Sequence, residues 1–429
     1  MHNSIYRIVN YIGSKFNILI LSPAYRSFGD SVEQIYFSLL YCQSKKKKLI
    51  LIRPFKKFIF KKVPIANIYL YQLEHDLIYK PPILIEILFS SLMTFLAGLS
   101  FLEISGKKLI AKFFGLDRSF HTNFNSSYAA GQHFGKDYLY SYSEKETFKI
   151  EDWQELESKY KSPNLPEELI KSAKEFIAQH APNALDKKWI VIHVLDNTRV
   201  DLARGADIQN YDLAIDYLIK KGFYVFRIGD KSMPIYQKKG LIDLAHIEHE
   251  YFLDLYLIKN ASLFIGNQSG PAYATNLFNT NLLATNLTEW STSVTRRQKN
   301  FFTCKNFYYK SNNKRIPISE MLTKEFNFQV NTNSIKDREF YLVENTKIEI
   351  LKAVEDHFRF MEDDKSYTSE QLIYNKKRRG WLEDTLINDV DLKIHYAPET
   401  HYNYIRIRSM AQSSTSGTMA QSFLKKYWN

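Results

Sequence analysis

Between residues 189 and 284 the sequence alternates short apolar runs with amphipathic segments, and this alternation limits the possible folds more than any other feature. The apolar runs are predicted to be strands and the amphipathic segments helices. The predicted strands are Trp189 to Val194, Phe223 to Ile228, Leu263 to Ile265 and Leu282 to Ala284, and the helices are Tyr211 to Lys221, Tyr251 to Asn260 and a segment ending at Phe278. Strands that alternate with helices predict a parallel sheet in an α/β fold.

A shorter series of the same kind opens the chain. The run from Asn17 to Leu21 predicts a strand, residues 32–40 carry apolar side chains at helical spacing, and Leu49 to Ile52 predicts a second strand. At 429 residues the chain is long enough for two or three domains. We therefore predict an N-terminal α/β domain over residues 1–165, a second over 166–327 and a C-terminal extension over 328–429. Two α/β domains that face a cleft typically bind a nucleotide or an activated sugar there.

The net charge of +12 is concentrated in the N-terminal part of the chain. Residues 1–120 hold 17 basic and 7 acidic residues, which accounts for +10 of that total. The stretch from Lys45 to Lys62 has nine cations and no acid, and Phe55, Phe58, Ile59 and Phe60 are interleaved with the cations. Two interpretations stay open: a surface that binds anionic lipid, and a buried strand followed by a solvated basic loop. We expect no nucleic-acid partner, because no nucleic-acid-binding motif accompanies the charge.

Two further features bear on location. The apolar stretch from Ile83 to Leu102 is close to the roughly 20 residues that a spanning helix needs, but several polar residues interrupt it. We expect one or two helices there that are buried or lie in a membrane interface. Arg7 and Lys15 interrupt any signal-peptide core, which predicts a protein on the cytosolic side. Only two cysteines are present, which fits a reducing compartment.

A glycine-containing turn from Gly266 to Pro271 connects a predicted strand to a predicted helix. Backbone N–H groups at such a turn, together with the helix N-terminus, can bind a diphosphate. Asn267, Ser269 and Gly270 are the candidate phosphate-binding residues of the turn. The alternative is a tight connection that needs glycine for its backbone angles alone.

Arginines follow two neighbouring predicted strands. Arg227 ends its strand just before Gly229, and Arg204 follows the strand that ends at Val194, as does Arg199. An arginine at the carboxyl end of a buried strand needs an acid or a bound anion. Arg204, Arg227 and Gly229 are therefore candidate donor-binding residues. The alternative is an ion pair with Asp196, Asp201 or Asp207.

In the first series, Gly29 and Asp30 are predicted to lie on the loop between strand and helix. A carboxylate there can act as a general base toward an acceptor hydroxyl. The alternative is that Asp30 caps a helix beginning near Ser31. Asp30 is the candidate catalytic residue and Gly29 the candidate acceptor-loop residue.

No metal site is expected. The cluster of His246, Glu248, His249 and Glu250 lacks the spacing of a helical zinc site. The Asp389 to Asp391 pair has the Asp-x-Asp form of metal-dependent sugar transferases but lies outside both β/α series. The sequence also lacks a Walker loop and a Gly-x-Ser-x-Gly elbow, which excludes P-loop NTPases and common serine hydrolases.

The second series resembles a family of bacterial glycosyltransferases from surface-polysaccharide gene clusters. The resemblance covers residues 185 to 290 and, weakly, the C-terminal end; the residues that carry it are Ile192 to Val194, Asp196, Arg204, Asp207, Tyr211, Gly222, Arg227 to Asp230, Asp254, Phe264 to Pro271, Thr285 and Asn286, and Ser422 to Tyr427. It implies a GT-B-like fold of two Rossmann-like domains, the first receiving the acceptor and the second binding the donor nucleotide. More distantly, Gly29-Asp30 and the Gly266 turn resemble the paired motifs of the heptosyltransferases, which act in lipopolysaccharide synthesis. That likeness implies Asp30 as the base and Asn267, Ser269 and Gly270 as the phosphate cradle.

Two residues depart from these patterns. Leu195 replaces an arginine of the polysaccharide family, and Tyr273 replaces a histidine of the heptosyltransferases. We predict a metal-independent, inverting glycosyltransferase without a cofactor, peripheral on an anionic cytosolic membrane face. It would move a sugar from a nucleotide-sugar donor to a surface-polysaccharide or lipid-linked acceptor. The alternatives are a nucleotide-sugar epimerase on the same scaffold and a non-catalytic membrane-associated protein that binds glycan or lipid.

Overall fold

The structure is a computed structural model that describes residues 13, 15–21, 23, 27–55, 57–58, 61–62, 65–92, 94–95, 155–196, 203–288, 294–322, 339–363, 366–388 and 416–429, with backbone alone at 57–58, 61–62 and 381–388. Arg199 and the Asp389 to Asp391 pair lie outside the described residues. The chain divides into unit 1, residues 1–148 and 156–166, and unit 2, residues 149–155 and 167–429.

Unit 1 begins with the strand, helix and strand that the sequence predicts. Its elements are β1 (Ile18–Leu21), α1 (Phe28–Lys45), β2 (Lys48–Leu51), β3 (Lys57–Phe58), β4 (Lys61–Lys62), a 3-10 helix (Ile68–Gln72) and α2 (residues 83–92, with helical backbone again at 94 and 95). Strands β1 and β2 pair in parallel, and α1 buries Val32, Ile35 and Leu39. The helix ends where Lys46 adopts the left-handed conformation, which turns the chain into β2.

Unit 2 contains the longer series. Its elements are α3 (Glu167–His180), β5 (Trp189–His193), a 3-10 helix (Ile208–Tyr211), α4 (Asp212–Lys220), β6 (Tyr224–Arg227), β7 (Leu241–Asp243), a 3-10 helix (Leu244–His246), α5 (Phe252–Asn260), β8 (Leu263–Gly266), α6 (Gly270–Phe278), β9 (Leu282–Leu287), β10 (Phe301–Cys304), β11 (Asn306–Tyr309), α7 (Ile318–Met321), β12 (Phe340–Val343), α8 (Lys347–Glu362), α9 (Ser369–Asn388), β13 (Thr418–Met419) and α10 (Gln421–Tyr427).

Seven strands of unit 2 form one parallel sheet in the order β13-β10-β9-β8-β5-β6-β7. Every residue of β5, β8, β9 and β10 is buried, as expected of parallel strands covered on both faces. The predicted α/β fold class is therefore confirmed. The facing of two such units across a cleft stays a prediction.

The described residues beyond 328 belong to the same compact unit as the sheet. Strand β13 adds to the sheet beside β10, with Phe301 opposite Thr418. Helix α8 begins with a capping box in which Thr346 and Glu349 satisfy each other's backbone N–H groups. Arg378 of α9 is fully buried and donates from Nη2 to the carbonyl oxygen of Gly417 at 3.0 Å. These contacts fix the C-terminal residues on the edge of the sheet.

The apolar stretch predicted at Ile83 to Leu102 is helical over residues 83–92, and residues 96–102 lie outside the described part. Within the described residues, no helix combines the length and the apolar character needed to cross a membrane. Placement of this stretch in a membrane interface stays a prediction.

Candidate functional site

The carboxyl edge of the seven-stranded sheet has one point where the strand order reverses. From β5 the chain proceeds to β6 and β7 on one side, and then crosses to β8, β9 and β10 on the other. The reversal therefore lies between β5 and β8, where the loops that follow these strands diverge. In open parallel sheets ligands bind in the crevice at such a switch point. We call the residues 194–196 and 203–207 after β5, together with Asn267 to Ser269 after β8, the switch-point loops.

At this point β5 and β8 approach each other closely. His193 ends β5 and pairs with Gly266, the last residue of β8. A Cβ atom on residue 266 would overlap the carbonyl oxygen of His193, which is main chain and cannot rotate away. Gly266 is thus required by the packing of two strands, and this requirement holds whether or not a ligand binds.

Ser269 and His193 form a buried pair directly above this contact. The Ser269 hydroxyl lies 2.9 Å from Nδ1 of His193, and both side chains are buried. Ser269 is also the N-cap residue of α6, yet its side chain makes no capping hydrogen bond to the helix. The hydroxyl is committed to the histidine, so the first turn of α6 lacks the side-chain acceptor that serine normally supplies there.

The start of α6 consequently offers main-chain donors. Gly270 begins the helix and Pro271 follows in its first turn, while the N–H of Ala272 is used by the carbonyl oxygen of Ser269 at 3.1 Å. No described residue accepts a hydrogen bond from the main-chain N–H of Ser269 or Gly270. Free N–H groups at the positive end of a helix are suited to an anion such as a phosphate oxygen.

The side chain of Asn267 has a different role from the phosphate contact that the sequence suggested. Its Oδ1 accepts from the N–H of Leu195 at 2.9 Å, and its Nδ2 donates to the carbonyl oxygens of Leu195 at 3.0 Å and Arg204 at 2.8 Å. The amide is fully buried and occupied by main chain. Asn267 therefore holds the loop after β5 against the turn after β8, and only its main chain remains for a ligand.

Lys305, which the sequence analysis did not identify, holds the loop after β5 in place. Lys305 follows β10, is buried, and donates from Nζ to the carbonyl oxygen of Gly205 at 2.6 Å. The N–H of Ala206 donates to the carbonyl oxygen of Leu195 at 2.8 Å, which closes the base of the loop. Arg204 is half-buried between these anchored positions. The structure thus places the main chain of Arg204 against the turn that carries Asn267, Ser269 and Gly270, and the donor-binding role of these residues stays a prediction.

Arg227 lies farther along the same edge and has an acid partner. Its Nη1 donates to Oδ2 of Asp243 at 2.7 Å and to the carbonyl oxygen of Pro234 at 2.8 Å, and the side chain is fully buried. The acid is therefore Asp243, at the end of β7, and none of the three aspartates proposed from sequence. Nε and Nη2 have no hydrogen-bond partner among the described residues. The ion pair joins the ends of β6 and β7, and its burial excludes direct ligand contact in this conformation.

Packing of the neighbouring side chains explains why residue 229 is a glycine. A Cβ atom there would meet the Sδ atom of Met233 and would approach the Cβ of Ala245 to 3.3 Å. The small residue lets Met233 and Ala245 close over the end of β6. No close approach of a ligand is needed to account for it.

A buried polar network supports the end of β9. The Tyr211 hydroxyl lies 2.6 Å from Oγ1 of Thr285, and Asn286 and Asn345 exchange hydrogen bonds between side chain and main chain at 2.9 and 2.6 Å. Asn286 has a positive φ of 55°, which asparagine tolerates better than most residues. Burial raises the pKa of Tyr211 to about 12, so the hydroxyl stays protonated and can donate.

His249, one residue of the cluster considered for metal binding, uses both ring nitrogens for internal contacts. Nδ1 of His249 lies 2.8 Å from the carbonyl oxygen of Ile247, and Nε2 lies 3.1 Å from Oδ1 of Asp254. Burial acts to lower the pKa of His249, but the Asp254 carboxylate outweighs it and raises the pKa. Both nitrogens therefore face acceptors. Within the described ranges no group of three His, Cys, Asp or Glu residues could hold a metal ion.

In unit 1, Gly29 and Asp30 lie in the first turn of α1, where the sequence predicted a loop. The cap of this helix is Ser27, whose Oγ accepts from the N–H of Asp30 at 3.4 Å. The prediction that Asp30 caps a helix from Ser31 is therefore wrong, because the helix starts one turn earlier. Asp30 is half-buried, and none of the described residues pairs with its carboxylate. A carboxylate near a helix N-terminus interacts favourably with the helix dipole.

Comparisons with known proteins give matches among solved structures only. No family model and no curated protein matches the chain. The dodecameric iron-containing glycosyltransferase TibC of enterotoxigenic E. coli is similar at 16% identity and a TM-score of 0.21, over 25% of this chain and 28% of its own. This chain thus spans little more than a quarter of the length of TibC. The TibC complex with ADP-D-beta-D-heptose is matched over the same 28% of its chain.

Two further structures are matched over more of the chain. E. coli ADP-heptose lipopolysaccharide heptosyltransferase II shares 13% identity, with a TM-score of 0.36 over 62% of this chain and 84% of its own. A family 9 glycosyl transferase from Veillonella parvula shares 11% identity, with a TM-score of 0.33 over 63% of this chain and 80% of its own.

Proposed function

We propose that this chain is a glycosyltransferase that binds the diphosphate of a nucleotide-sugar donor at the switch-point loops. The observation that carries the proposal is that the main-chain N–H groups of Ser269 and Gly270, at the start of α6, have no acceptor among the described residues. They lie at the switch point, next to the main chain of Arg204. A diphosphate fits these donors because its oxygens are anionic and accept several hydrogen bonds at once. The resemblance of residues 185 to 290 to surface-polysaccharide glycosyltransferases supports the same class of ligand.

The proposed reaction transfers the sugar to a surface-polysaccharide or lipid-linked acceptor at the cytosolic membrane face. Asp30 takes the proton of the acceptor hydroxyl, and the hydroxyl oxygen forms a bond to the anomeric carbon. The bond from that carbon to the donor's phosphate oxygen breaks, and the diphosphate leaves with the electron pair. One displacement inverts the anomeric configuration.

The protein's part in this step is to stabilise the charge of the leaving diphosphate. The N–H groups of Ser269 and Gly270 and the guanidinium of Arg204 are proposed to do so without a metal ion. Arg227 does not contact the diphosphate in this proposal, because its guanidinium is buried against Asp243. His193 acts as a positioning residue, since its hydrogen bond fixes the rotamer of Ser269.

A thermal-shift screen over nucleoside diphosphates and nucleotide sugars tests the proposal. A ligand present at 100 times its Kd is expected to stabilise the native state by about 2.7 kcal/mol. Ser269→Ala should weaken binding of the responding nucleotide about tenfold, because the main chain of residue 269 is no longer held by the hydrogen bond to His193. Ser172→Ala, on the exposed face of α3, is the matched control and should respond as the wild type does.

Two outcomes would overturn the proposal. A flat response to every nucleotide would favour a non-catalytic binding protein. If a responding nucleotide sugar were converted to its epimer in the absence of any acceptor, the chain would be an epimerase instead.

A further inference from the structure

Helix α2 exposes its apolar side and buries its polar side. The exposed fraction is 77% for Leu84 and 66% for Leu88, whereas Ser90 is only 2% exposed. The exposed apolar residues Leu84, Ile87, Leu88 and Phe95 follow one helical stripe with spacings of three, four and seven residues. A helix packed on a soluble core normally shows the opposite arrangement. We call this stripe, with Ile83 at its start, the apolar stripe.

The polar side of α2 is fixed to the chain after β2, so the orientation of the helix is specified. Oγ1 of Thr94 donates to the carbonyl oxygen of Ser90 at 2.6 Å and accepts from the N–H of Phe55 at 2.7 Å. Glu86, one turn before Ser90, lies 3.9 Å from Nε of Arg53. Rotation of α2 to bury its leucines would break these contacts and leave Thr94 and the Phe55 N–H without their partners.

The apolar stripe therefore needs an occupant other than the body of unit 1. Contiguous apolar surface is rarely left exposed on soluble proteins, and where it occurs it typically marks a binding surface. From residue 84 to residue 95 the stripe is about 17 Å long at 1.5 Å per residue, which suits a helix lying flat and is too short to span a bilayer.

Charge indicates which occupant the stripe fits. The chain that Thr94 and Glu86 hold continues from Arg53 through the β3-β4 hairpin, and residues 53–62 contain five cations and no acid. Arg53 is paired with Glu86, but the four lysines at 56, 57, 61 and 62 have no acid near them in the sequence. An apolar helix face next to such a basic segment matches the layered chemistry of an anionic membrane surface, where acyl chains lie beneath negative headgroups.

We propose that the apolar stripe and the adjoining basic segment 53–62 form a docking surface for an anionic lipid bilayer. Leu84, Leu88 and their neighbours enter the interface, and the cations contact the headgroups. This surface belongs to unit 1 and the switch-point loops belong to unit 2, so the inference does not depend on the proposed function.

Vesicle sedimentation tests the docking surface with the full chain. The wild type should bind vesicles of phosphatidylcholine mixed with phosphatidylglycerol and bind phosphatidylcholine alone at least about tenfold more weakly. Binding should fall steeply at 1 M salt, where the Debye length is about 3 Å. The double variant Leu84→Ser, Leu88→Ser should lose about tenfold or more of the remaining affinity.

The matched control is Ile235→Ser with Ile348→Ser, which removes two exposed apolar residues of unit 2; Ile235 is 71% exposed. Both double variants should keep the wild-type melting temperature, because exposed positions contribute little to folding. The proposal is overturned if the α2 variant binds anionic vesicles as the wild type does. It is also overturned if the α2 variant abolishes a self-association seen without lipid, since the stripe would then be an interface between copies.

Discussion

The carbonyl oxygen of His193 occupies the space that a side chain on Gly266 would need, and the imidazole of His193 contacts Ser269. One residue at the end of β5 thus sets both the spacing of two central strands and the side chain of the α6 cap. Gly266→Ala should lower the free energy of unfolding by about 3 kcal/mol, since main chain cannot yield to the added methyl group. Denaturant titration measures the change.

Gly380→Ala is the matched control for that experiment. Gly380 lies within α9, and an added Cβ would find no heavy atom within 4 Å. Alanine there should stabilise the protein by about 0.5–1 kcal/mol through helix propensity. Equal effects of the two substitutions would contradict the strand contact.

Removal of the Asn267 side chain should weaken binding of the donor nucleotide more than it lowers the stability of the fold. In Asn267→Ala the carbonyl oxygens of Leu195 and Arg204 lose their common donor, so the loop that carries Arg204 is released. We expect at least a tenfold rise in the Kd of the responding nucleotide, a difference of about 1.4 kcal/mol. Calorimetry at a temperature where the variant is folded measures it. An unchanged Kd would show that the loop does not bind the donor.

Arg227→Met should act on stability and spare nucleotide binding. The substitution leaves Asp243 without the guanidinium that lies 2.7 Å away, and loss of one partner of a buried pair costs about 3 kcal/mol. The double variant Arg227→Met, Asp243→Asn should recover part of that loss. The nucleotide Kd should stay within about twofold of the wild type. A large increase in Kd for the folded variant would instead place Arg227 in contact with the donor.

Acid should destabilise unit 2 through His357. Burial lowers the pKa of this histidine from 6.5 to about 4, and its Nε2 lies 3.1 Å from the carbonyl oxygen of Lys299. The unfolded chain binds a proton below pH 6.5 and the folded chain only near pH 4. The stabilisation present above pH 6.5 is therefore lost as the pH falls toward 4, by about 3 kcal/mol in total.

His357→Gln isolates this contribution, because glutamine can donate to Lys299 but does not titrate. Its unfolding free energy should fall less between pH 6.5 and 4 than that of the wild type. His180→Gln, at an exposed position of α3, should retain the wild-type slope. Parallel slopes for the wild type and His357→Gln would contradict the assignment.

Asp30→Asn tests the proposed base. The variant should bind the responding nucleotide normally and lose sugar transfer by at least about a hundredfold, a typical contribution of general-base catalysis. Its stability should fall by no more than about 1 kcal/mol, the size of a helix-dipole contribution. Glu33→Gln, in the same helix, is the control for charge. Full turnover by Asp30→Asn would remove Asp30 from the mechanism.

The β/α series could be predicted from the sequence because each element carries its own periodicity. Strand β10 could not be predicted this way, since the described residues between it and β9, 288 and 294–300, contain no helix, and so Lys305 at its carboxyl end was missed. The role of Asn267 depends on which loops are neighbours in space. The spacing of residues along the chain does not show which loops these are. Arg378 lies in a polar segment, and its burial is explained by contacts in space: its guanidinium lies 5.9 Å from the ring of Phe302 and donates to the carbonyl oxygen of Gly417.

The placement of β13 has a consequence for synthesis of the chain. Its neighbour β10 ends at Cys304, so more than a hundred residues separate two strands that pair directly. While a ribosome is still making those residues, β10 is the open edge of the sheet, with unpaired main-chain groups. Open edges invite pairing with other chains. The sheet of unit 2 can therefore be completed by β13 only late in translation. Ribosome stalling before residue 418 should yield nascent chains that need a chaperone.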